Sequence, residues 1–382
     1  VLLICALALV ACGSDGDGNG DDGASQPKNE NKNPASGYDT NKTSLKAAQR
    51  TEFPHINKPS GNYYVIVHTV SGVGNQYTYA GKQYTYDADG IRCYTSTDLK
   101  YWQYSGLALN KANTTETRWF WAPEVYHVGN RYIMYYSANE HLYAATSLKP
   151  TGPFRQYGSY QMDALLGDEK CIDSHVFFDD DGTAYLFFVR FTDGNCIWQV
   201  QLADDYITPV ERTLKKCLSA TESWELKRGK VTEGPNVYKN ASRYFLTYSA
   251  NDYQSQDYAV GYALSTNIAQ ARWTKMSSYS PFLHRWNGLY GTGHHSLFTD
   301  KEGKLRIVFH AHKSESEIHP RAMYIATVKC SSNIMRMDYS DETIVPVLGT
   351  PPSAVESPSD ETSLTAQSYY TPDGLRHEAP VD

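Results

Sequence analysis

The chain has 382 residues, of which 41% are hydrophobic and 13% aromatic, so it is long enough to bury a large core. Its formal net charge of -7 comes without a basic stripe, which argues against nucleic acid as the main partner. Tyrosine is unusually frequent, with 31 residues, and the strand propensity of this residue explains most of them.

Residues 1–12 form an apolar run that is too short to span a bilayer. The run predicts the core of a signal peptide whose charged start is missing, as in an N-terminally truncated sequence. Its end, Leu9-Val10-Ala11-Cys12, resembles a bacterial lipobox and would make Cys12 a lipid-bearing membrane anchor. An ordinary cleaved signal with an incidental cysteine is the alternative.

Residues 13–45 are polar and acidic with almost no large apolar side chain, so we expect a flexible tether. The acidic stretch directly after Cys12 resembles the export signal of surface lipoproteins in Bacteroidetes. A merely solvated tether is the alternative. The expected location is therefore the cell surface or outer membrane of a Gram-negative bacterium, with the periplasm as the alternative.

Residues 46–335 show a different sequence pattern, which predicts short aromatic-rich strands separated by turns. An Asp-Gly hairpin signal, Asp180-Asp181-Gly182, lies between two apolar runs. The strands fall into five groups, roughly 50–70 residues apart, and no helical periodicity of useful length interrupts them. The pattern predicts an all-β fold, a five-bladed β-propeller, since a large sandwich would not explain the repetition.

A short bend, often x-Pro-x, precedes the first strand of each group. It assigns one equivalent residue to each group: Phe53, Ala122, Asp173, Glu233 (one bend residue longer) and His294. Because the innermost strands of a propeller line its central channel, we expect these residues to converge there.

The remaining segments carry less information. Residues 336–382 are predicted to be a partly disordered C-terminal extension that ends in a short tail of unknown role. Five cysteines follow Cys12, an odd number whose spacing matches no metal motif, so no pairing or ligand role is assigned to them.

Several motifs together resemble glycoside hydrolase family 43 over roughly residues 50–330. They are Tyr94-Thr95-Ser96-Thr97-Asp98-Leu99-Lys100-Tyr101-Trp102, Trp121-Ala122-Pro123-Glu124-Val125, Ile172-Asp173-Ser174-His175-Val176-Phe177, Thr232-Glu233-Gly234-Pro235 and Gly291-Thr292-Gly293-His294-His295-Ser296. The resemblance implies a five-bladed propeller and inverting hydrolysis of arabinofuranosyl, xylosyl or galactosyl linkages in plant polysaccharides or oligosaccharides.

The resemblance also implies the roles of individual residues. Glu233 matches the family's general acid, and Asp173 matches the carboxylate that tunes and orients the acid. An inverting enzyme needs such an acid to be protonated, so the pKa of Glu233 has to be raised by burial or by negative charge. His294 matches the axial histidine that often holds the water shell of a calcium ion, although the adjacent His295 leaves that assignment open.

The general base is the point at which this chain departs from the family. The family has an aspartate directly before the proline of the first group, and here that residue is Phe53, which cannot accept a proton. Glu124, Glu52 and His55 are candidate substitutes, with Glu124 ranked first because it also lies at the start of a strand. If the first group is misaligned, Asp39 or Asp89 could serve instead.

The sequence therefore predicts a monomeric glycosidase, with a non-catalytic glycan-binding propeller as the alternative that Phe53 motivates. A structural or protein-interaction propeller is a third class, which the acidic residues at the strand starts disfavour. Aromatic residues beside the central motifs are expected to stack on sugar rings, and they are Trp119, Trp121, Trp286 and Tyr290. Phe53 and His55 are further candidates for substrate contact.

Overall fold

A computed structural model describes residues 90–349 of the chain except 117–118, 160–161 and 320, together with the backbone of six strands outside that range. Those six strands are β1 (Glu52–Ser60), β2 (Tyr63–Thr69), β3 (Gln76–Tyr79), β4 (Lys82–Thr85), β24 (Ser368–Tyr370) and β25 (Arg376–Glu378). The predicted signal segment, Cys12 and the tether lie outside the described residues, as do Asp39 and Asp89.

Five antiparallel sheets make up the body of the chain. The first sheet contains β1, β2, β5 (Gly90–Ser96) and β6 (Tyr101–Asn110), in that order. The second runs outward through β7 (Trp121–Val128), β8 (Arg131–Ala138), β9 (His141–Ser147) and β10 (Arg155–Gln156). The third contains β11 (Cys171–Phe178), β12 (Ala184–Phe191), β13 (Asn195–Gln201) and β14 (Lys215–Leu218).

The fourth and fifth sheets repeat this meander. The fourth contains β15 (Thr232–Asn240), β16 (Arg243–Ala250), β17 (Ala259–Ser265) and β18 (Thr274–Lys275). The fifth contains β19 (Gly293–Thr299), β20 (Leu305–Ala311), β21 (Ala322–Ser331) and β22 (Ile334–Met337). The two hairpins β3–β4 and β24–β25 form separate small sheets.

Helical structure among the described residues is short. One turn of α-helix, α1 (Asp163–Leu166), precedes β11. Five 3₁₀ turns lie in the connections, at Lys111–Asn113, Glu211–Thr213, Ser223–Glu225, Ile268–Gln270 and Ser277–Tyr279. Within the described part of the chain, no helix is long and apolar enough to cross a membrane.

The sheets are the blades of a five-bladed β-propeller, as the sequence predicts. The innermost strands β1, β7, β11, β15 and β19 contact one another in ring order, and β1 also contacts β19. Five clusters of buried side chains lie between successive blades. The core is thus divided into five apolar seams, which suits the aromatic-rich composition because large flat side chains fill the space between twisted sheets.

The ring is closed by a strand from beyond the fifth blade. Ile344 bridges to Ile325 in β21, and β23 (Val347–Leu348) then pairs in parallel with β6 of the first blade. Regular pairing therefore continues past residue 335, the end of the propeller predicted from the sequence. This connection ties the last blade to the first.

A polar cluster is buried inside the fifth blade. Arg306, only 1% exposed, donates from Nε to the Asp300 carboxylate at 2.8 Å and from Nη1 to Asp341 at 3.2 Å. Its Nη1 also donates to Thr327. The Asp300 carboxylate accepts the backbone N–H groups of Glu302 and Lys304, which closes the β19–β20 turn.

We predict that Arg306→Met lowers the free energy of unfolding by about 3–5 kcal/mol, because it leaves the buried Asp300 carboxylate without its cation. Chemical denaturation measures the change. Lys304→Met is the matched control: its ammonium group, also paired with Asp341, is 44% exposed, so the loss is expected to stay below about 1 kcal/mol. Equal losses for the two variants would contradict a stabilising role of the buried pair.

Candidate active site

Every innermost strand begins with the same irregularity, a β-bulge two residues long. In β7 it separates the pair Trp121–Ser137 from Glu124–Tyr135, and in β11 it separates Ile172–Val189 from His175–Phe187. The bulges of β1, β15 and β19 occupy the same register. A bulge re-aims the strand and commonly lies beside an active site.

The first residue of the bulge adopts a left-handed backbone in each blade whose dihedrals are described. It has φ of +42° at Ala122, +58° at Asp173, +54° at Gly234 and +44° at His294. The sequence made Glu233 equivalent to Asp173, but the register places Gly234 there and Glu233 one residue earlier. Glycine adopts a left-handed backbone without the steric cost of a Cβ atom. The glutamate occupies the position directly before it.

Glu233 is held by two donors from neighbouring strands. The Tyr258 hydroxyl donates to its Oε1 at 2.8 Å, and Asn195 Nδ2 donates to its Oε2 at 3.1 Å. Burial raises the pKa of Glu233, while these two hydrogen bonds and the charge of Arg321 lower it. The effect of burial is the largest, so the pKa of Glu233 is raised overall and the environment favours the protonated acid.

Asp173 is more deeply buried, with 4% of its surface exposed. Its pKa is raised well above the usual value by burial and then by the negative charge of Glu233, and the Gly234 N–H opposes the shift. Two carboxyl groups that repel each other in this way titrate as a pair. The pair therefore retains a proton more readily than either group would alone, and the more accessible Glu233 is placed to give it away.

The peptide N–H of the bulge explains why an aspartate occupies this position in the third blade. Asp173 N–H donates to Ser137 Oγ of the preceding blade at 3.0 Å, and His294 N–H donates to Ser249 Oγ at 2.8 Å. In the third blade, the residue equivalent to these serines is Val189, which is paired with Ile172. Valine has no side-chain oxygen that could accept the Gly234 N–H. There the Asp173 carboxylate accepts the Gly234 N–H itself, at 3.1 Å.

A stack of rings lies beside the carboxyl pair. The rings of Tyr258 and His310 are 5.7 Å apart and tilted by 9°, and those of His310 and His294 are 6.4 Å apart and tilted by 14°. Arg321 donates from Nη1 to the His310 ring at 3.2 Å and covers the Tyr253 ring at 4.6 Å. Burial and the charge of Arg321 lower the pKa of His310 well below its usual value, so this histidine stays neutral.

Glu124 belongs to a deeper ring of side chains, one residue beyond the bulge. Its carboxylate accepts hydrogen bonds from His175 Nδ1 at 3.0 Å and from the Tyr126 hydroxyl. His175 Nε2 accepts the Val237 N–H at 2.9 Å, which fixes the proton on Nδ1. Glu124 is 7% exposed and serves as a hydrogen-bond acceptor that joins the second, third and fourth blades.

The two adjacent histidines have different environments. His294 lies beside the carboxyl pair, with Nδ1 3.9 Å from Asp173 Oδ2. His295 Nε2 contacts Thr247 Oγ1 at 2.6 Å, and burial lowers its pKa to about 3. His294 is therefore the histidine beside the carboxyl pair, whereas His295, which borders the same axial cavity, is neutral.

A small cavity of about 20 Å³ lies on the axis, bordered by Glu124, Asp173, Gly234 and His294 among others. That volume holds about one water molecule or ion. The carboxyl groups of Glu124 and Asp173 and the imidazole of His294 are groups that can bind a cation. No cluster of three or more His, Cys, Asp or Glu in metal-binding geometry occurs within the described ranges, so a cation here would need water among its ligands.

The aromatic candidates lie in different places. Trp121 and Trp119 stack with centroids 5.9 Å apart and planes 10° apart, and Trp121 is paired with Ser137, the residue that binds the Asp173 N–H. Trp286 lies against Tyr339 and packs on the core of the fourth and fifth blades, not along the axial cavity. The carbonyl of Tyr290 accepts the His312 N–H at 2.7 Å.

For Phe53 and His55 the structure describes the backbone alone. Phe53 is the first bulge residue of β1, level with Ala122, Asp173 and His294, and His55 is level with Glu124. The register therefore agrees with the sequence alignment of the first group. The five cysteines of residues 90–349 are free thiols, at positions 93, 171, 196, 217 and 330.

Sequence reasoning missed Asn195, Tyr258 and Arg321. Each lies on or beside a third strand, 38, 25 and 88 residues from Glu233 in the sequence, where no bend motif marks it. Their polar or charged side chains within otherwise apolar stretches are a weak signal, because such residues occur at many blade edges.

Comparisons with known proteins identify the family to which the chain belongs. The family model described as Glycosyl hydrolases family 43 matches residues 54–343. The chain is 24% identical over 304 residues to an extracellular exo-alpha-(1->5)-L-arabinofuranosidase of Streptomyces avermitilis, covering 71% of this chain and 56% of that protein. It is 26% identical over 252 residues to the beta-D-galactofuranosidase xynD of Aspergillus niger, covering 59% of this chain and 68% of that protein.

A solved structure is more similar in sequence. The crystal structure of an endo-1,4-beta-xylanase from Bacteroides thetaiotaomicron is 39% identical, with a TM-score of 0.69 over 79% of this chain and 98% of that chain. An endo-arabinase of the same organism, 22% identical with a TM-score of 0.59 and covering 75% of this chain and 97% of that chain, shares the fold.

We predict that two substitutions move the pKa of the Glu233 carboxyl in opposite directions. Asp173→Asn removes the carboxyl group that repels Glu233 when both are ionised, so the last proton of the pair, now on Glu233, is lost at lower pH. Tyr258→Phe removes a donor to the ionised carboxylate, so the pKa rises further. A ¹³C NMR titration follows the carboxyl, which Glu233→Gln identifies by difference. Shifts of the same sign in both variants would contradict the coupling described above.

Proposed function

Because the chain belongs to glycosyl hydrolases family 43, we propose that the protein hydrolyses arabinofuranosyl, xylosyl or galactosyl linkages in plant polysaccharides or oligosaccharides with inversion of configuration. The matched region is a glycosidase domain of that family, which acts on O-glycosyl bonds. The chain spans about 56% of the length of the arabinofuranosidase relative and 68% of the galactofuranosidase. The substrate of this protein is therefore part of the proposal.

The observation that carries the proposal is the buried carboxyl pair formed by Glu233 and Asp173, whose surroundings raise the pKa of both groups. In the proposed reaction, Glu233 gives its proton to the leaving glycosidic oxygen while a water attacks the anomeric carbon from the opposite face. Burial, and then charge repulsion between Asp173 and Glu233, raises the pKa of Asp173 and so keeps a proton on the pair, and the Gly234 N–H holds the Asp173 carboxylate in place. Asn195 and Tyr258 orient both oxygens of the acid and stabilise the carboxylate that forms.

The paired rings of Trp119 and Trp121 support a role in substrate binding. Trp121 lies directly before the bulge of the second blade, and aromatic faces suit the apolar faces of a sugar ring. We place these rings at the sugar-binding side of the pocket. Phe53, His55, Trp286 and Tyr290 remain predictions for substrate contact, and the position of Trp286 against Tyr339 makes it the weakest of them.

A calcium ion at His294 is a further part of the proposal. When bound, the ion would supply positive charge to the axial cavity. His294 would face it, directly or through water, and Asp173 and Glu124 border the same cavity.

The cellular location is also proposed. The lipobox-like end of the first apolar run supports a lipid anchor at Cys12 and a surface lipoprotein, with the periplasm as the alternative. One relative is extracellular, which agrees with export from the cytoplasm. We expect the protein to act as a monomer.

We predict that Glu233→Gln lowers kcat/KM on natural oligosaccharides about 10²–10⁴-fold, because the leaving oxygen no longer receives a proton. The purified protein is incubated with arabinans, xylans and galactans, and the released sugar and its anomeric configuration are measured by NMR. The same variant loses much less activity on a 4-nitrophenyl glycoside, whose leaving group needs little protonation. Equal sugar release by wild type and variant would remove the catalytic assignment, and binding without turnover by the wild type would favour the glycan-binding alternative.

We predict that calcium raises the thermal unfolding temperature of protein dialysed against EDTA, because a ligand bound only by the folded state stabilises it. His294→Ala is expected to abolish the increase. His284→Ala, in an exposed loop, is the control and is expected to retain it. An unfolding temperature of the wild type that does not respond to calcium argues against the ion.

A further inference from the structure

A rim of cations lies beside Glu233, the residue proposed above as the acid. Asn195 and Tyr258, which hold the two oxygens of Glu233, each lie within two residues of a carboxylate that pairs with two cations. We propose that this rim binds the carboxylate of a uronic-acid unit in the polysaccharide, beside the linkage that is cleaved. This substrate class rests on the proposed function, because the same site binds and cleaves the polysaccharide.

The first part of the rim lies beside Asn195. Asp193, two residues earlier in the β12–β13 turn, forms ion pairs with Lys230 at 2.5 Å and with Lys216 at 3.8 Å. The carbonyl of Lys230 accepts the N–H of Asn195 at 3.0 Å, so one backbone contact positions both Lys230 and the residue whose side chain binds Glu233. One carboxylate therefore serves two lysines next to the acid.

The second part of the rim lies beside Tyr258. Asp257, directly before Tyr258, forms ion pairs with Lys227 Nζ at 3.2 Å and with Arg285 Nη2 at 3.6 Å. The longer of these distances exceeds that of a hydrogen bond, and within the described part of the chain the Arg285 guanidinium makes no hydrogen bond to another side chain. The Arg285 side chain is 52% exposed, and its planar fork of N–H groups can donate two parallel hydrogen bonds to a carboxylate.

The third part of the rim joins the loop before β15 to the β16–β17 turn. Asp252 pairs with Arg228 Nε at 3.7 Å, and the Asp252 N–H donates to the Arg228 carbonyl at 2.8 Å. Burial is the largest cause of the raised pKa of Glu233, and the charge of Asp252 raises that pKa further. The rim is therefore within electrostatic reach of the acid, at the end of the blades where β15 begins.

Cations outnumber carboxylates in this rim. Asp193 and Asp257 pair with two cations each and Asp252 pairs with one, so five cations face three carboxylates. The formal net charge of the whole chain is -7, so the positive balance is a local property of this end of the third and fourth blades. A positive surface beside a pocket attracts and orients an anionic ligand.

A role in holding loops together does not account for the second cation on a carboxylate. The side chains of Lys216, Lys227, Lys230 and Arg285 are 37–52% exposed, and ion pairs between exposed side chains contribute only about 0–1 kcal/mol to stability. One cation on each carboxylate would join the same loops. The additional positive charge favours a further carboxylate from the substrate, and uronic-acid units are the sugars that carry this group in plant polysaccharides.

The test compares two substrates that differ only in the carboxylate. Acidic oligosaccharides from glucuronoxylan and from pectin are assayed beside the same preparations after reduction of the uronic-acid carboxyl to a primary alcohol. We expect kcat/KM of the wild type to be about 3–10-fold higher for the acidic form, mainly through KM, as two exposed ion pairs would give. Raising the ionic strength from about 0.01 M to about 1 M shortens the Debye length from about 30 Å to about 3 Å and is expected to remove the preference.

Three variants test the rim. Lys227→Gln/Arg285→Gln is expected to bring the ratio of kcat/KM for the acidic and reduced forms close to one, while kcat/KM for the reduced form stays unchanged. Asp257→Asn removes the shared carboxylate and is expected to increase the ratio, whereas a role limited to joining loops predicts equal losses on both forms. Lys329→Gln is the matched control, because Lys329 is 54% exposed and pairs with Asp338 in the fifth blade, and it is expected to leave the ratio unchanged.

The outcomes separate this substrate class from the proposed function. If the wild type cleaves both forms equally well at low ionic strength, the rim does not bind a uronic acid, whereas the assignment of Glu233 stands. If the rim variants change kcat/KM equally for both forms, the rim has a structural role only. If the wild type cleaves no glycan, the proposed function fails, and calorimetric titration with the acidic and the reduced oligosaccharides tests the rim by itself, where equal affinities overturn it.

Discussion

The left-handed bulge at the start of the inner strands is the constraint on which the site depends. A side chain other than glycine at positive φ costs of order 1–3 kcal/mol and persists only where its surroundings enforce it. At Asp173 and His294 the enforcement is visible, because a serine of the preceding blade accepts each bulge N–H. The strain is therefore paired with a specific hydrogen bond from the neighbouring blade, which ties the shape of each blade start to the closure of the ring.

One consequence is that Asp173 has two functions that cannot be separated. Its carboxylate replaces the missing oxygen at Val189 by accepting the Gly234 N–H, and it repels the charge of Glu233. The hydrogen bond favours ionised Asp173, whereas burial and Glu233 favour the protonated form. The surrounding histidines do not add positive charge that would offset this, since burial keeps His295 and His310 neutral. The protonation state of the carboxyl pair thus depends on a few contacts among three blades.

The sequence predicted the fold and the two central carboxyl groups because both follow from local signals. Turn residues, aromatic strands and bends recur at intervals that only a ring of similar units explains. The sequence could not specify the register within each bend, so it aligned Glu233 with Asp173 although Gly234 holds that position. It also could not show that Glu124, which borders the axial cavity, accepts hydrogen bonds from His175 and Tyr126, because these contacts depend on the strand register. Tyr258 and Asn195 come from distant strands, and only the folded chain brings them to Glu233.

The two carboxyl groups of the site come from two register positions, one directly before the bulge and one on it. Successive residues of a strand rise by about 3.3 Å, and glutamate is one methylene longer than aspartate. Glu233, before its bulge, therefore comes close enough to Asp173, on its bulge, for the two carboxyl groups to repel each other. The fourth blade uses the position directly before the bulge for Glu233, while the third uses the bulge for Asp173.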